Sequence, residues 1–231
     1  MILIKNNNHF TSKNIHDIIY IGDFMRLRNV KNAKDIINNS KLVIDNYKEY
    51  QGHFNKLFNN SNPIHLEIGS GKGRFIINMA KRFPNVNFIG IEKYDSVLAR
   101  ALEKEDYISN LRFIRMDATY IEDVFNKEID TIYLNFSDPW PKERHKHRRL
   151  TDSFFLKRYD SLFKDGKHII MKTDNRKLFE YSIIEFTNYG YEIKEISLDL
   201  YDDDILDNVA TEYETKFHNK GFPIYKIEVF K

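Results

Sequence analysis

The chain has 231 residues, of which 42% are hydrophobic and 30% are charged. This length and composition predict one substantial hydrophobic core, and hence one main domain with an appendage. Cysteine is absent, which excludes disulfides, thiolate nucleophiles and cysteine-ligated zinc or iron–sulfur centres. There is neither an apolar run of about 18 residues nor the apolar core of a signal peptide, so we expect a cytoplasmic protein without a membrane span. The formal net charge of +2 is too small to indicate a polyanionic partner, so only local clusters of charge are informative.

The first 60 residues show no regular pattern. Residues 33 to 50 have the spacing of an amphipathic helix, but asparagine runs and scattered lysines indicate loose chain, or chain that a partner orders. We predict that residues 25 to 60 form a basic N-terminal arm and that residues 61 to 231 form the main domain.

Residues 1 to 24 are an N-terminal extension of uncertain role. Met25 opens a Met-Arg-Leu-Arg run that would suit the start of a basic arm. We hypothesise that translation begins there, or that the extension is dispensable. The alternative is an ordered extra helix, because the apolar residues between Ile15 and Ile21 could dock on the core.

From Ile64 onward, short apolar runs alternate with amphipathic stretches of helix length, which is typical of βαβ units and a largely parallel sheet. Strands are predicted at residues 64–69, 86–92, 111–117, 131–136, 168–174, 191–200 and 224–230. Helices are predicted at residues 73–83, 95–107, 152–163 and 175–188, with a short one near 119–125. Lys-Asp-Gly-Lys at 164–167 predicts a helix end and a turn before the fifth strand. The last two strands have no obvious helix between them, which predicts antiparallel pairing at one edge of an α/β sandwich.

A glycine-rich turn follows the first predicted strand, with Gly69, Gly71 and Gly73 leading into an amphipathic helix. Glycines there let the backbone approach a ligand closely, with the amides of the helix N-terminus directed at it. A nicotinamide-type fingerprint would need glycine at position 74, where this chain has arginine. The G-x-G-x-G form resembles that of S-adenosylmethionine (SAM) enzymes.

Three carboxylates lie at or near the ends of successive predicted strands. Glu92 is placed to accept hydrogen bonds from both ribose hydroxyls of such a cofactor, and Asp117 to receive the adenine amino group. Glu67, inside the first strand, would face the methionine end. Any one of these acids could instead be a helix cap or a solvated group. Their shared position favours a site, because open α/β sheets bind ligands at the carboxyl ends of their strands.

The fourth predicted strand runs into Asp-Pro-Trp-Pro and then into a dense basic run. Asp138 and Trp140 lie beside the predicted cofactor crevice, and the two prolines hold the loop extended. The basic run comprises Lys142, Arg144, His145, Lys146, His147, Arg148 and Arg149. A solvated surface is the common reading of such charge, but its position beside a site favours contact with RNA phosphates. Trp140 could stack on a base or close the core.

Five segments together resemble the bacterial tRNA (guanine-N7-)-methyltransferases. They are "EIGSGKG", "GIEKYDSVLARALEK", "YLNFSDPWPKERHKHRRLT", "KTDNRKLFEYS" and "TEYETKF". The similarity extends from about Met25 to the C-terminus, and residues 1 to 24 have no counterpart. It implies an α/β, Rossmann-like, seven-stranded class I SAM-methyltransferase sheet, mostly parallel with an antiparallel edge strand. It also implies transfer of a methyl group from SAM to N7 of a guanine in the tRNA variable loop, usually position 46.

The resemblance also implies site residues. It places the cofactor on the glycine turn and on Glu67, Glu92, Asp117 and Asp138, and Asp138 is the family's proposed catalytic position. It places the substrate on Lys142, Asp174, Thr211, Glu212, Tyr213 and Glu214. It implies no metal, no obligate protein partner and no membrane, and either a monomer or a homodimer.

Two other functions fit parts of the sequence. "SDPW" is similar to the Asn/Asp-Pro-Pro-aromatic loop of methyltransferases that act on adenine N6, although Trp140 stands where those enzymes have a second proline. A SAM-fold protein that only binds RNA is a different class. The intact glycine turn and its acids argue against it.

Overall fold

The computed structural model describes residues 30–104, 107–203 and 207–231. Seven strands form one sheet: β1 Ile64–Ile68, β2 Asn87–Glu92, β3 Leu111–Arg115, β4 Ile129–Asn135, β5 Phe163–Thr173, β6 Glu192–Ser197 and β7 Tyr225–Phe230. The α-helices are α1 Ala33–Asn39, α2 Phe54–Phe58, α3 Arg74–Arg82, α4 Asp95–Leu102, α5 Ser153–Tyr159, α6 Arg176–Asn188 and α7 Glu212–His218. Short 3-10 helices span Tyr47–Tyr50, Ala118–Asp123 and Glu143–Arg148.

The strand order is β3-β2-β1-β4-β5-β7-β6. Strands β1 to β5 pair in parallel, and β7 is antiparallel to both β5 and β6. The predicted fold class is therefore confirmed, with the antiparallel strand lying one position in from the edge. The chain reverses its strand order between β1 and β4, so the carboxyl ends of these two strands border the crevice where such sheets bind ligands.

Both faces of the sheet are covered by apolar packing. On one face, Leu66 and Ile68 belong to a cluster that includes Phe155 of α5 and Phe179 of α6. On the other, Phe88 packs in a cluster with residues of α3 and α4. This burial of alternate strand residues on opposite faces explains why the strands are nearly continuous apolar runs.

The segment before β1 is packed against the domain. Leu42 and Phe54 are fully buried, and the Leu42 carbonyl accepts a hydrogen bond from the Phe113 amide at 2.7 Å. The Glu128 carboxylate accepts the amides of Gly52 and Phe54, both at 2.9 Å. The expectation of loose chain over residues 33–50 is therefore wrong, and the predicted helix there is limited to α1. The hypotheses about residues 1 to 24 and about Met25 lie outside the described residues.

One prediction for the C-terminal half is also wrong. The predicted turn at residues 164–167 is part of β5, because Lys167 exchanges backbone hydrogen bonds with Lys231. Gly166 serves packing there, since an added Cβ would lie 2.2 Å from the Phe230 ring. The last two strands, β6 and β7, pair antiparallel as predicted, although a short helix, α7, lies between them in the chain. Within the described ranges, no helix is both long and apolar enough to cross a membrane.

Candidate active site at the carboxyl edge of the sheet

The glycine turn lies between β1 and α3. Gly69, Gly71 and Gly73 all have positive φ, of 78°, 58° and 75°. At Gly73 an added Cβ would also lie 2.8 Å from the Cβ of Ala101, so only glycine fits both the conformation and the space. The end of the turn therefore packs tightly against α4.

Glu92, the last residue of β2, is buried and fixes the glycine turn. Its Oε2 accepts the Gly71 amide at 3.1 Å and its Oε1 accepts the Tyr94 amide at 2.9 Å. Burial raises the pKa of Glu92, and these backbone hydrogen bonds oppose the increase. Each carboxylate oxygen can accept a further hydrogen bond, so Glu92 can hold the turn and still receive a diol.

Glu67 is buried beside the end of β4. Its Oε1 accepts the Asn135 side-chain amide at 2.8 Å, while its Oε2 is buried and has no hydrogen-bond partner among the described residues. Burial raises the pKa of Glu67 to about 8, against the lowering effects of Asn135 and Lys172. Asn135 Oδ1 and the hydroxyls of Ser70 and Ser137 are likewise buried without a partner in the described chain. Such orphaned polar atoms are costly unless a ligand satisfies them.

Asp117 lies in an open cleft of about 430 Å³, which is lined by Lys93, Tyr94, Arg115, Met116 and Asp117. Its Oδ1 accepts the amide and the hydroxyl of Thr119, at 2.9 and 2.7 Å, and so caps a 3-10 helix. Burial alone would raise the pKa of Asp117, but these hydrogen bonds and the nearby Lys93 hold it below its ordinary value. Asp117 thus stays charged at the outer end of the crevice, and both the cap and the predicted cofactor contact fit its position.

The loop after β4 is strained and tied down. Phe136 and Trp140 have positive φ, of 50° and 41°, which costs on the order of 1 kcal/mol or more for a non-glycine residue. Arg149 donates to the carbonyls of Pro139 and Trp140, at 3.2 and 3.1 Å. In this strained loop Asp138 is exposed, and its carboxylate has no hydrogen bond or ion pair within the described ranges.

Arg149 differs from the rest of the basic run. It is only 8% exposed, and its guanidinium lies 4.1 Å from the centre of the Tyr181 ring. The geometry therefore supports a structural role in holding the loop, rather than the contact with RNA predicted for it. Sequence reasoning assigned Arg149 by its neighbours, and nothing in the local pattern distinguishes it from them.

The other basic residues form an accessible surface beside Asp138. Lys142, Arg144, Lys146, His147 and Arg148 are exposed, and His145 is half-buried. Partial burial and the positive charges of Arg148, Arg144 and Lys142 lower the pKa of His145. The site residue Lys142 has no ion pair among the described side chains, whereas Lys146 lies 3.1 Å from Glu143.

Trp140 does not close the core. It is half-buried and lies outside the hydrophobic clusters, with the Arg148 guanidinium 4.8 Å from the ring centre. His145 packs against its edge, with ring centres 5.9 Å apart. The ring is therefore held at the surface of the loop.

The Thr-x-Tyr-Glu motif begins α7, and two of its residues are structural. Glu214 is fully buried, and its carboxylate accepts Lys172 Nζ at 2.6 Å, the Tyr201 hydroxyl at 3.1 Å and the Asn208 amide. Thr211 caps the helix through a hydrogen bond from the Glu214 amide at 2.9 Å. The geometry thus supports a role for Thr211 and Glu214 in positioning, rather than in the direct substrate contact predicted for them.

The other two residues of the motif are accessible. Glu212 is half-exposed and pairs with Lys104, whose Nζ also donates to the Lys72 carbonyl of the glycine turn at 2.6 Å. The negative charge of Glu212 raises the pKa of Glu67, so the start of α7 lies near the methionine end of the predicted crevice. The Tyr213 ring is partly exposed, with its centre 5.9 Å from that of Phe136 in the loop after β4.

Asp174 follows β5 at the same edge of the sheet and is half-buried. Burial raises the pKa of its carboxyl group. Two residues that sequence reasoning missed lie nearby, Asn135 and Lys172, which contact Glu67 and Glu214 respectively. Each could have been found as a polar residue inside an otherwise apolar predicted strand. Asn135 lies in "TIYLNF" and Lys172 in "HIIMKTD".

Comparisons with known proteins agree with this geometry. Residues 61–227 match the model of a family described as "Putative methyltransferase". A tRNA (guanine-N(7)-)-methyltransferase of Lachnoclostridium phytofermentans is 48% identical over 212 residues, which cover 90% of this chain and 99% of that protein. One of Geobacillus sp. is 50% identical over 209 residues, with 89% and 95% covered.

Solved structures show the same fold at low identity. A SAM-dependent methyltransferase from Aquifex aeolicus has a TM-score of 0.51 at 13% identity, with 87% of this chain and 97% of that one covered. The structure titled "Structure of an antibiotic related Methyltransferase" has a TM-score of 0.61 at 17% identity, with 78% and 93% covered. With the sheet order, the glycine turn and near-complete coverage of relatives half identical in sequence, the chain belongs to the bacterial tRNA (guanine-N7-)-methyltransferase family.

Proposed function

We propose that this protein transfers a methyl group from SAM to N7 of a guanine in the tRNA variable loop, usually position 46. One observation carries the proposal. A single edge of the sheet brings together the buried Glu67, whose Oε2 has no partner among the described residues, and the exposed Asp138 on a strained loop beside a basic surface. The names of the relatives support the same reaction and substrate.

The residues present fit SAM. Glu67 Oε2 and the neighbouring orphaned polar atoms suit the amino acid end of the cofactor, since an ammonium group would compensate the buried carboxylate. Glu92 suits the ribose diol, and the cleft beside Asp117 suits the adenine. When bound, SAM supplies an electrophilic methyl group on a sulfonium.

The protein's part in the reaction is mainly positioning. Guanine N7 carries an in-plane lone pair and no proton, so no general base is needed. Holding the reacting groups in line accounts for up to roughly 7 to 11 kcal/mol in the best intramolecular models. Positive charge develops on the guanine ring during transfer, and the carboxylates of Asp138 and Asp174 stabilise it electrostatically.

The RNA must present the guanine outside a regular helix. The N7 edge faces the deep major groove of A-form RNA, which side chains read poorly. A base from a loop, or one flipped out of its stack, reaches the carboxyl edge of the sheet. The exposed basic residues 142–148 would then contact the phosphates beside it.

The proposal is tested by incubating the purified protein with labelled SAM and unmodified tRNA, followed by nucleoside analysis and mapping. Label in 7-methylguanosine of the variable loop is the expected result. Label in N6-methyladenosine would instead support the adenine-type reading of "SDPW". SAM binding without transfer to RNA would support the binding-only class.

We expect Glu92→Ala to raise the KM for SAM more than it lowers kcat. Ribose contacts are made equally in the ground and transition states, so their loss weakens uniform binding. Steady-state kinetics with varied SAM at saturating tRNA measure both constants. A defect confined to kcat would contradict the assignment of Glu92 to the ribose.

We expect the triple substitution of Arg144, Lys146 and Arg148 by alanine to weaken tRNA binding and reduce its salt dependence. Each lost phosphate contact lowers the log-log slope by roughly 0.7 to 0.9, and SAM affinity should not change. Lys56, Lys81 and Lys164 lie near the opposite edge of the sheet, and their replacement by alanine is the matched control. An equal salt-dependence slope in both triple variants would show that residues 144–148 do not contact RNA phosphates and are simply solvated surface.

We also propose that the enzyme works in the cytoplasm without an obligate protein partner, as a monomer or a homodimer. Turnover of unmodified tRNA by the purified chain alone, together with its mass in solution, tests both statements.

A further inference from the structure

Exposed and half-buried aromatic and basic side chains continue along the surface beyond the loop after β4. We call Trp140, His147, Phe154, Lys157, Arg158 and Tyr120 the aromatic–basic strip. The His147 and Phe154 rings have centres 6.3 Å apart, and the Arg158 guanidinium lies 3.8 Å from the centre of the Phe154 ring. The strip thus extends from the basic surface onto the outer face of α5.

The strip reaches the cofactor side of the site at Tyr120. Arg158 Nε donates to the Thr119 carbonyl at 3.2 Å, and the next residue, Tyr120, is 64% exposed. Tyr120 also lines a cleft of about 400 Å³ that includes Met116 and Asp117. The strip therefore runs from the loop after β4, which borders the crevice, to the segment after β3 at the edge of the sheet.

The Phe154 ring of the strip is partly exposed and is packed against a cation that is itself fixed. Phe154 is 38% exposed and lies on the same face of α5 as Lys157 and Arg158, at the spacing i, i+3 and i+4. Arg158 cannot swing away freely, because it also donates to the Phe154 carbonyl at 3.2 Å and lies 3.7 Å from Glu122. A fixed, partly exposed ring beside a cation is the arrangement that stacks on an unpaired base.

We propose that the aromatic–basic strip binds unpaired nucleotides of the RNA substrate, with bases stacked on Phe154 and Tyr120 and a phosphate at Lys157. The proposal rests on the proposed function and adds a second contact surface outside the predicted site residues. RNA is favoured over a protein partner because the strip is continuous with exposed positive charge at residues 142–148, which complements phosphate.

The test measures binding of unmodified tRNA by wild type, Phe154→Ala, Tyr120→Ala and Lys157→Ala at several salt concentrations. Each ring substitution should weaken binding by about 5-fold to 100-fold and raise the KM for tRNA, and Phe154→Ala, which is remote from the Asp117 cleft, should also leave kcat and SAM affinity unchanged. Because stacking is not ionic, the salt slope of the ring variants should equal that of wild type. Lys157→Ala should reduce it by roughly 0.7 to 0.9.

The chain offers a matched control in Phe83. It is 39% exposed and has the Arg82 guanidinium 5.4 Å from its ring centre, but it follows the end of α3, away from the crevice. Phe83→Ala should bind tRNA like wild type. Phe154→Leu keeps an apolar side chain on α5 and should still lose affinity, since leucine has no ring to stack.

Several outcomes would overturn the proposal. They are wild-type affinity in both ring variants, an equal loss in Phe83→Ala, full affinity in Phe154→Leu, or a change in self-association with unchanged tRNA binding. Methylation of the same tRNA by wild type is measured in parallel. If wild type methylates guanine while the ring variants bind tRNA normally, the strip does not bind RNA and the proposed function stands. If wild type does not methylate, the proposed function fails first.

Discussion

Asp138→Asn is expected to fold and to bind tRNA, but to lose most methyl transfer, with kcat falling by about 10²-fold to 10³-fold. The substitution keeps the size of the side chain and removes its negative charge. That charge lies on the loop nearest the proposed position of the guanine, and no described residue neutralises it. The lost stabilisation is therefore specific to the transition state, where positive charge develops on the base.

Single-turnover kinetics with saturating SAM and tRNA measure this effect directly, and separate titrations of SAM and tRNA show whether binding is retained. Asp165→Asn is the matched control, because Asp165 is also exposed but lies near the start of β5, at the opposite edge of the sheet. Activity of the Asp138 variant within roughly a few fold of wild type would remove Asp138 from the catalytic role.

Lys172→Met is expected to destabilise the protein by about 3 kcal/mol or more. Lys172 is 4% exposed, and it donates to Glu214 Oε2 at 2.6 Å and to the Val209 carbonyl at 2.9 Å. Methionine fills much of the same space but leaves the buried carboxylate of Glu214 without its cation. The segment before α7 also loses its anchor to β5, so the KM for tRNA should rise.

Urea denaturation measures the loss in the free energy of unfolding. In the matched control, Lys194→Met, the lysine is 64% exposed and pairs with Glu228 at 2.7 Å. Glu228 is buried but keeps His168 at 3.0 Å, so loss of this exposed lysine should cost only about 0 to 1 kcal/mol. The double variant Lys172→Met, Glu214→Gln should recover part of the stability, because it removes the unpaired charge. Equal losses of unfolding free energy in the two single variants would show that the buried Lys172–Glu214 pair contributes no more to stability than the Lys194 pair.

The sequence by itself determined the fold class and the gathering of three carboxylates at one edge of the sheet. Strand periodicity and glycine spacing are local properties, and parallel topology then brings strand ends to one edge. Glu67, Glu92 and Asp117 therefore lie near the carboxyl ends of β1, β2 and β3 in the structure. Their assigned contacts with SAM stay predictions.

Only the tertiary structure decided which charged residues face water and which are enclosed. Arg149 and Glu214 lie in charged motifs that were predicted to contact RNA or substrate, yet both are buried by partners distant in sequence. Tyr181 lies over Arg149, and Lys172 reaches Glu214 across 42 positions. The packing of Leu42 and Phe54, and the early start of β5, likewise depend on remote contacts. Local pattern specifies which face of an element is apolar, whereas the cost of burying a charge depends on the partner that the whole fold supplies.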